Sequence, residues 1–340
     1  MRARLAGEWA LPAGAILLLI VTVLSFCAGR YSLSLADLEK FAATAAGFHD
    51  LAPDRYQLIR SILIGSRLPR ILGAILVGAS LSVSGASFQA VFRNPLVSPG
   101  LLGVLSGAGF GAALGIVLGG HAVLIQSLAF IGGIAAVTVG VSVARLFGGA
   151  SIIMLVFGGL ISNALFTSLL SILKYGADPD NQLPDIVFWL LGSLAQVSLG
   201  QLLVIGPALC IGILLLSLAG RSLDALAMSD DEARTLGVPV TAVRYGVIIL
   251  ATVISALTVS FAGMIGWVGL IIPHIARLIV GPGNARLLPL SACIGAIFLL
   301  LSDGLARTLF IEEIPIGIIT ELLGVVIFLM VLPYARKGWT

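Results

Sequence analysis

Residues 221–240 read RSLDALAMSDDEARTLGVPV, a polar stretch in the middle of an almost uniformly apolar chain. Ser229 is followed three residues on by Glu232, the spacing of a capping box. In that arrangement a serine side chain accepts from the first turn and a glutamate reaches back. Asp230, Asp231 and Glu232 put negative charge where the helix dipole welcomes it. Gly237 suits the left-handed position just past a helix end, and Pro239 prevents continuation. The pattern predicts a short helix over 230–236, with a second over 223–228 capped by Ser222. Two well-stopped helices of this kind read as a docking element rather than a plain solvated loop.

Outward from this island the chain turns to lipid-like composition. Of 340 residues, 59% are hydrophobic and 10% charged, against about a quarter charged in soluble domains. Several runs exceed the roughly 18 apolar residues that suggest a spanning helix. The alternating ten-residue strands of a membrane barrel are absent. Ten spans are predicted: 9–28, 68–92, 97–119, 122–147, 151–173, 199–219, 242–264, 266–280, 288–306 and 315–333. The piece 186–196 is too short to cross and reads as interfacial or re-entrant. The basic, then apolar, N-terminus resembles a signal peptide but lacks an A-x-A site, so it reads as a retained first span. The expectation is one all-α transmembrane domain over 1–340, a polytopic bundle of about ten helices.

An even number of spans places both termini on one side. With the termini inside, eleven basic residues lie inside and eight outside, which satisfies the positive-inside tendency weakly. The expected location is therefore a bacterial inner membrane, with both termini cytoplasmic. Arg67, Arg70 and Arg307 fall on the outer side against the tendency. Arg307 has Asp303 and Glu312 within reach as local partners. The segments 81–100 and 257–276 share small residues, a bulky turn and a proline re-entry, in opposite orientations, a hint of an inverted repeat. Gly103, Gly107, Gly111, Gly115 and Gly119 recur every fourth residue, which makes a smooth helix face for close packing, within the same subunit by preference.

The missing chemistry is equally informative. His49, His121 and His274 are far apart and none has a ligand at i+4, so no zinc motif exists, and G-x-S-x-G is absent. His274 reads as a packing or backbone-bonding residue. Cys27, Cys210 and Cys293 show neither metal nor disulfide spacing. None of Lys40, Lys174 and Lys337 follows a glycine, so the chain holds no P-loop. Ion-coupled carriers keep acids near the bilayer midplane; the candidates here, Asp303 and Glu321, fall near the outer ends of the last two spans, which weakens that reading. No catalytic residue, resident metal, cofactor or nucleic-acid surface is indicated.

Taken together, RLPR (67–70), GASFQAVFRNPLVSPGLLG (85–103), SDDEARTLGV (229–238), GWVGLIIPHIARLIVG (266–281), RLLPLSA (286–292) and DGLARTL (303–309) resemble the FecCD permeases, in order from about residue 60 to 333. These are membrane subunits of type II ABC importers for iron–siderophore complexes, haem and vitamin B12. The resemblance implies a pair of permease subunits, a homodimer by preference. It implies two cytoplasmic ATPase subunits that bind ATP and Mg, and a periplasmic binding protein outside. It assigns coupling to 222–237, with Ser222, Leu223, Ser229, Asp230, Asp231, Glu232, Ala233, Arg234, Leu236 and Gly237 in the ATPase cleft. It further implies that Arg67, Arg70 and Arg307 receive glutamates of the binding protein. The stretch 152–170 resembles the family's pathway-lining span, which makes Ser151, Asn163, Phe166 and Ser168 pathway candidates. An iron(III)–siderophore complex is the expected cargo, ahead of haem and cobalamin. The competing reading is a secondary carrier or channel that needs no ATPase.

Overall fold

The computed structural model describes residues 2–48, 51–148 and 151–336; His49 and Lys337 lie outside them. In chain order the helices are α1 (Arg2–Cys27), α2 (Leu35–Ala45), α3 (Pro53–Arg60), α4 (Leu68–Phe92), α5 (Val104–Val117), α6 (Ala122–Gly148), α7 (Ile152–Gly176), α8 (Gln182–Leu190), α9 (Leu199–Leu218), α10 (Gly220–Leu226), α11 (Asp230–Thr235), α12 (Val240–Ala262), α13 (Val268–Val280), α14 (Asn284–Thr308) and α15 (Ile316–Arg336). Ten of these match the ten predicted spans. Among the described residues seven helical runs are long and apolar enough to cross a bilayer, while the apolar parts of α5, α13 and α15 are shorter. The protein is a polytopic membrane bundle.

The third span differs most from its prediction. Pro99 and Gly103 break it into a 3-10 turn, Pro99–Leu102, and then α5 proper, because Gly103 takes φ +86°. Between the first two spans lie two further helices, α2 and α3. Ser34 and Asp37 form a capping box at α2. From Pro53 the chain stays helical through a π-helical segment, Ser61–Arg67, into α4.

Within the bundle, α4 is the central post. It packs against α9, α12, α13 and α14, and most of its side chains are buried. At Gly85 a Cβ would run into the carbonyl of Gly269 on α13, so the two backbones touch. The glycine stripe does the same between α5 and α6. A Cβ on Gly107 would meet the carbonyl of Gly132, and one on Gly111 the carbonyl of Leu128. On Gly115 it would lie 2.9 Å from Ile125 Cα. Gly103 and Gly119 flank the helix as left-handed turn residues rather than forming its face.

Where backbone leaves the helix after α12, other backbone satisfies its polar groups. After α12 the chain unwinds over 263–267, with Trp267 at φ +68°. There the Ser193 amide donates to the Ala262 carbonyl at 2.9 Å. The amides of Ile316 and Gly317 donate to the carbonyls of Gly192 and Leu191, each at 3.1 Å. The tight meeting explains Gly192, Gly263 and Gly317, where a side chain would strike a carbonyl.

Candidate functional site: two charged ends of one bundle

The polar island folds as two short helices. Ser229 caps α11 with its side chain accepting from the Glu232 amide, and Glu232 accepts from the Ser229 amide at 3.0 Å. Gly237 follows at φ +78°. The earlier helix begins at Gly220, two residues before the predicted cap. Ser222 therefore lies inside α10 and caps nothing; Ala219 holds the cap position. The reason is tertiary: Gly220 presses on the backbone of Ala285, where a Cβ would be 2.7 Å from Cα. Asp224 then accepts from both the amide and the side chain of Asn284, at 2.6 and 2.9 Å, and ties α10 to the start of α14.

Asp230 is the hub that holds α11 down. Arg93, left-handed at φ 50° just past α4, donates to the Asp230 carboxylate at 2.6 Å and to the Leu226 carbonyl at 2.6 Å. Arg244, buried in the first turns of α12, donates to the same carboxylate at 2.8 Å. Burial alone would raise the Asp230 carboxyl, but the hydrogen bonds from Arg244 and Arg93 outweigh it and hold the group below the usual carboxylate range. Glu232 is lowered too, by the Ser229 amide and hydroxyl. Leu223, Leu226 and Ala233 are fully buried beneath the island. The outward face carries Met228, Asp231, Arg234 and Leu236, with Leu236 64% exposed.

At the opposite end the three outer arginines are not displayed on the surface. Arg67 is buried and donates to the carbonyls of Phe26 and Tyr31. Arg70 is buried between Asp303, at 2.6 Å, and Glu313. Arg307 Nε lies 2.9 Å from the second Asp303 oxygen, without hydrogen-bond geometry at that atom. The expectation that Arg67 and Arg70 reach out to a protein partner is thus corrected: each is spent on closing the bundle. A guanidinium this deep must be paired, and the apolar helices around it leave only Asp303, Glu313 and backbone carbonyls. Arg307 alone keeps an edge on open space, a notch of about 400 Å³ shared with Gly29, Arg30, Thr308, Phe310 and Ile311. In the sequence Arg30 counts only as one of the eight outer basic residues, and no motif marks it.

The pathway candidates divide by burial. Ser151, Asn163 and Ser168 are exposed, as are Thr167 and Ser171 on the same helix. Phe166 is buried edge-on against Phe110 at 5.8 Å and so lines no open face. His274 is buried 3.5 Å from Arg277 and near Phe328, inside the packing of α13 and α15. No group of three metal-ligating side chains occurs among the described residues.

A bundle with a clamped pair of short helices at one end and a sealed arginine cluster at the other can now be set beside known proteins. The model of the FecCD transport family matches residues 17–333. The chain belongs to that family. It is 39% identical over 324 residues to the molybdate import system permease protein MolB of Haemophilus influenzae, covering 95% of each. It is 38% identical over 318 residues to a protein of Helicobacter pylori described as an iron chelatin transport system permease, covering 94% of this chain and 95% of that one. Among solved structures it matches one described as an inward-facing metal-chelate-type ABC transporter, with TM-score 0.84 and 37% identity over 95% of this chain and 98% of that chain. The fold shared with that transporter places this FecCD protein among membrane permeases, not enzymes.

Proposed function

We propose that the chain is the membrane subunit of an ATP-driven importer for a metal chelate, with an iron(III)–siderophore complex as first candidate. The observation that carries this reading is the island. Its two short helices are anchored from below by Asp224 and Asp230 and show an apolar and charged face outward, while the chain lacks a P-loop of its own. The island end faces the cytoplasm and both termini lie on that side. The ATPase that binds ATP and Mg grips the island, and a second permease copy completes the pathway. Exposed Asn163 and Ser168 on α7 line that pathway, since hydroxyl and amide groups gain little by facing lipid. The external binding protein docks at the notch of Arg30 and Arg307, where a guanidinium offers a fork to a carboxylate.

The test breaks α11. Glu232→Pro, in permease reconstituted with its ATPase and binding protein, is expected to abolish substrate-stimulated ATP hydrolysis while membrane insertion is unchanged. Normal transport by this variant would remove the reading.

A further inference from the structure

Two half-length helices start inside the bundle and run in opposite directions. The 14-residue α5 runs toward α8, whose Gln182 reaches the carbonyl of Val117 at its end, at 3.2 Å. The 13-residue α13 runs toward the island end, where Arg277 meets Gln89 near the end of α4. Their first turns line one cavity of about 290 Å³, together with Leu81, Ser98, Ser255 and Glu321. Leu81 sits near the middle of α4, so the cavity lies at mid-depth. Each helix start carries about half a positive charge, and two of them make roughly one.

Among the described residues Glu321 is the one charged group lining this cavity, and no basic side chain lines it. Its carboxylate lies over Gly266, where a Cβ would be 3.7 Å from Oε1. The helix face that carries it is fixed, because Gly324, one turn on, receives Trp267, and Phe328 meets Trp267 at 6.0 Å. Glu321 is nonetheless exposed, one turn into an otherwise apolar helix. A carboxylate at such a place faces water rather than lipid. Ser255, only 1% exposed, also lines the cavity, and its hydroxyl has no hydrogen-bond partner among the described residues. Without Glu321, two helix starts and an unspent hydroxyl would form a receptor for an anion.

We propose that Glu321 is a charge filter of this cavity: its carboxylate cancels the two converging helix starts and denies the space to anions, an anionic cargo included. This rests on the importer reading for the existence of a cargo.

Trp267, itself in the cavity wall, reports the occupant. The full-length chain in nanodiscs is titrated with iodide and, separately, caesium, both of which quench indole fluorescence. The Trp267→Phe signal is subtracted to remove the other tryptophans. Iodide is expected to quench the native protein weakly and linearly. Glu321→Gln and Glu321→Ala are both measured, so that poor folding of one does not end the test. Each should show saturable iodide quenching, steeper at low concentration by about tenfold for two exposed helix starts, and Glu321→Asp should behave as native. Iodide indifference in both neutral variants would overturn the filter. Saturable iodide quenching of the native protein would do the same. Saturable caesium quenching lost with Glu321 would instead make the cavity a cation site. No ATPase is present in this experiment, so its failure leaves the coupling test above intact.

Discussion

Asp303 and Asp230 each stand between two arginines, at opposite ends of the same bundle. Arg70 near the start of α4 serves one, and Arg93 just past its end serves the other, about 35 Å apart at 1.5 Å per residue. The environments differ. Asp303 is 1% exposed, with Arg70 and Arg307 near 10%. Asp230 is 34% exposed, and only its Arg244 partner is deeply buried. The same motif therefore performs two tasks. In a dry setting it is a rivet joining α4 to α14, and breaking it strands a charge. In a half-wet setting it is a clasp that fixes a small lever yet can be loosened.

The strongest way to break this comparison is Asp303→Ala. It leaves Arg307 without its carboxylate and Arg70 with Glu313 alone, and breaking a buried pair costs about 3–5 kcal/mol. Thermal unfolding in detergent should fall sharply, and yield with it. An unchanged melting temperature would mean that the rivet is idle. Asp230→Ala should cost less, about 1.5–3 kcal/mol for hydrogen bonds to charged groups, and the cost should be local. Protease access at 227–240 is expected to rise, with ATPase stimulation lost and the melting temperature nearly kept. Equal global destabilisation by the two variants would erase the distinction between rivet and clasp.

Acid sharpens it most gently. The Asp230 carboxyl is lowered in the folded state, so its contribution is full above the unfolded value near 4 and is lost as pH falls through the lower folded value. Hydrogen exchange of α11 should therefore accelerate reversibly below about pH 4 while α4 remains protected. Exchange that stays flat at α11 would show that the arginines hold the island by their contacts with backbone alone.

Much of this contrast was written locally and much was not. The capping box at Ser229 and the stop at Gly237 are matters of five or six neighbouring residues, and they fold as their spacing dictates. The ten spans likewise follow from runs of apolar residues. Ser222 misled because the start of α10 is set by Gly220 meeting Ala285, a contact across 65 positions that no local pattern announces. Ser34 and Asp37 carried a capping signal that a search of 30–60 for S-x-x-D would have found. The fate of Arg67 and Arg70 was beyond local reading, since charge excess looks the same whether it is shown or sealed. Their partners come from α14, the loop after it, and the backbone at the end of α1 and just past it. The midway starts of α5 and α13 were half legible, in the prolines and glycines of the paired segments 81–100 and 257–276.

The rivet also has a timetable. Arg70 and Asp303 are 233 residues apart, and a ribosome adding about 5–20 residues per second needs roughly 12–47 s to travel from one to the other. For that interval the nascent α4 carries a guanidinium with no acid to meet it. Its seat in the membrane must stay provisional until the ninth span arrives. A chain halted before residue 303 would thus be an orphan of its own synthesis, and the quality-control proteases of the membrane would have a charged helix to recognise.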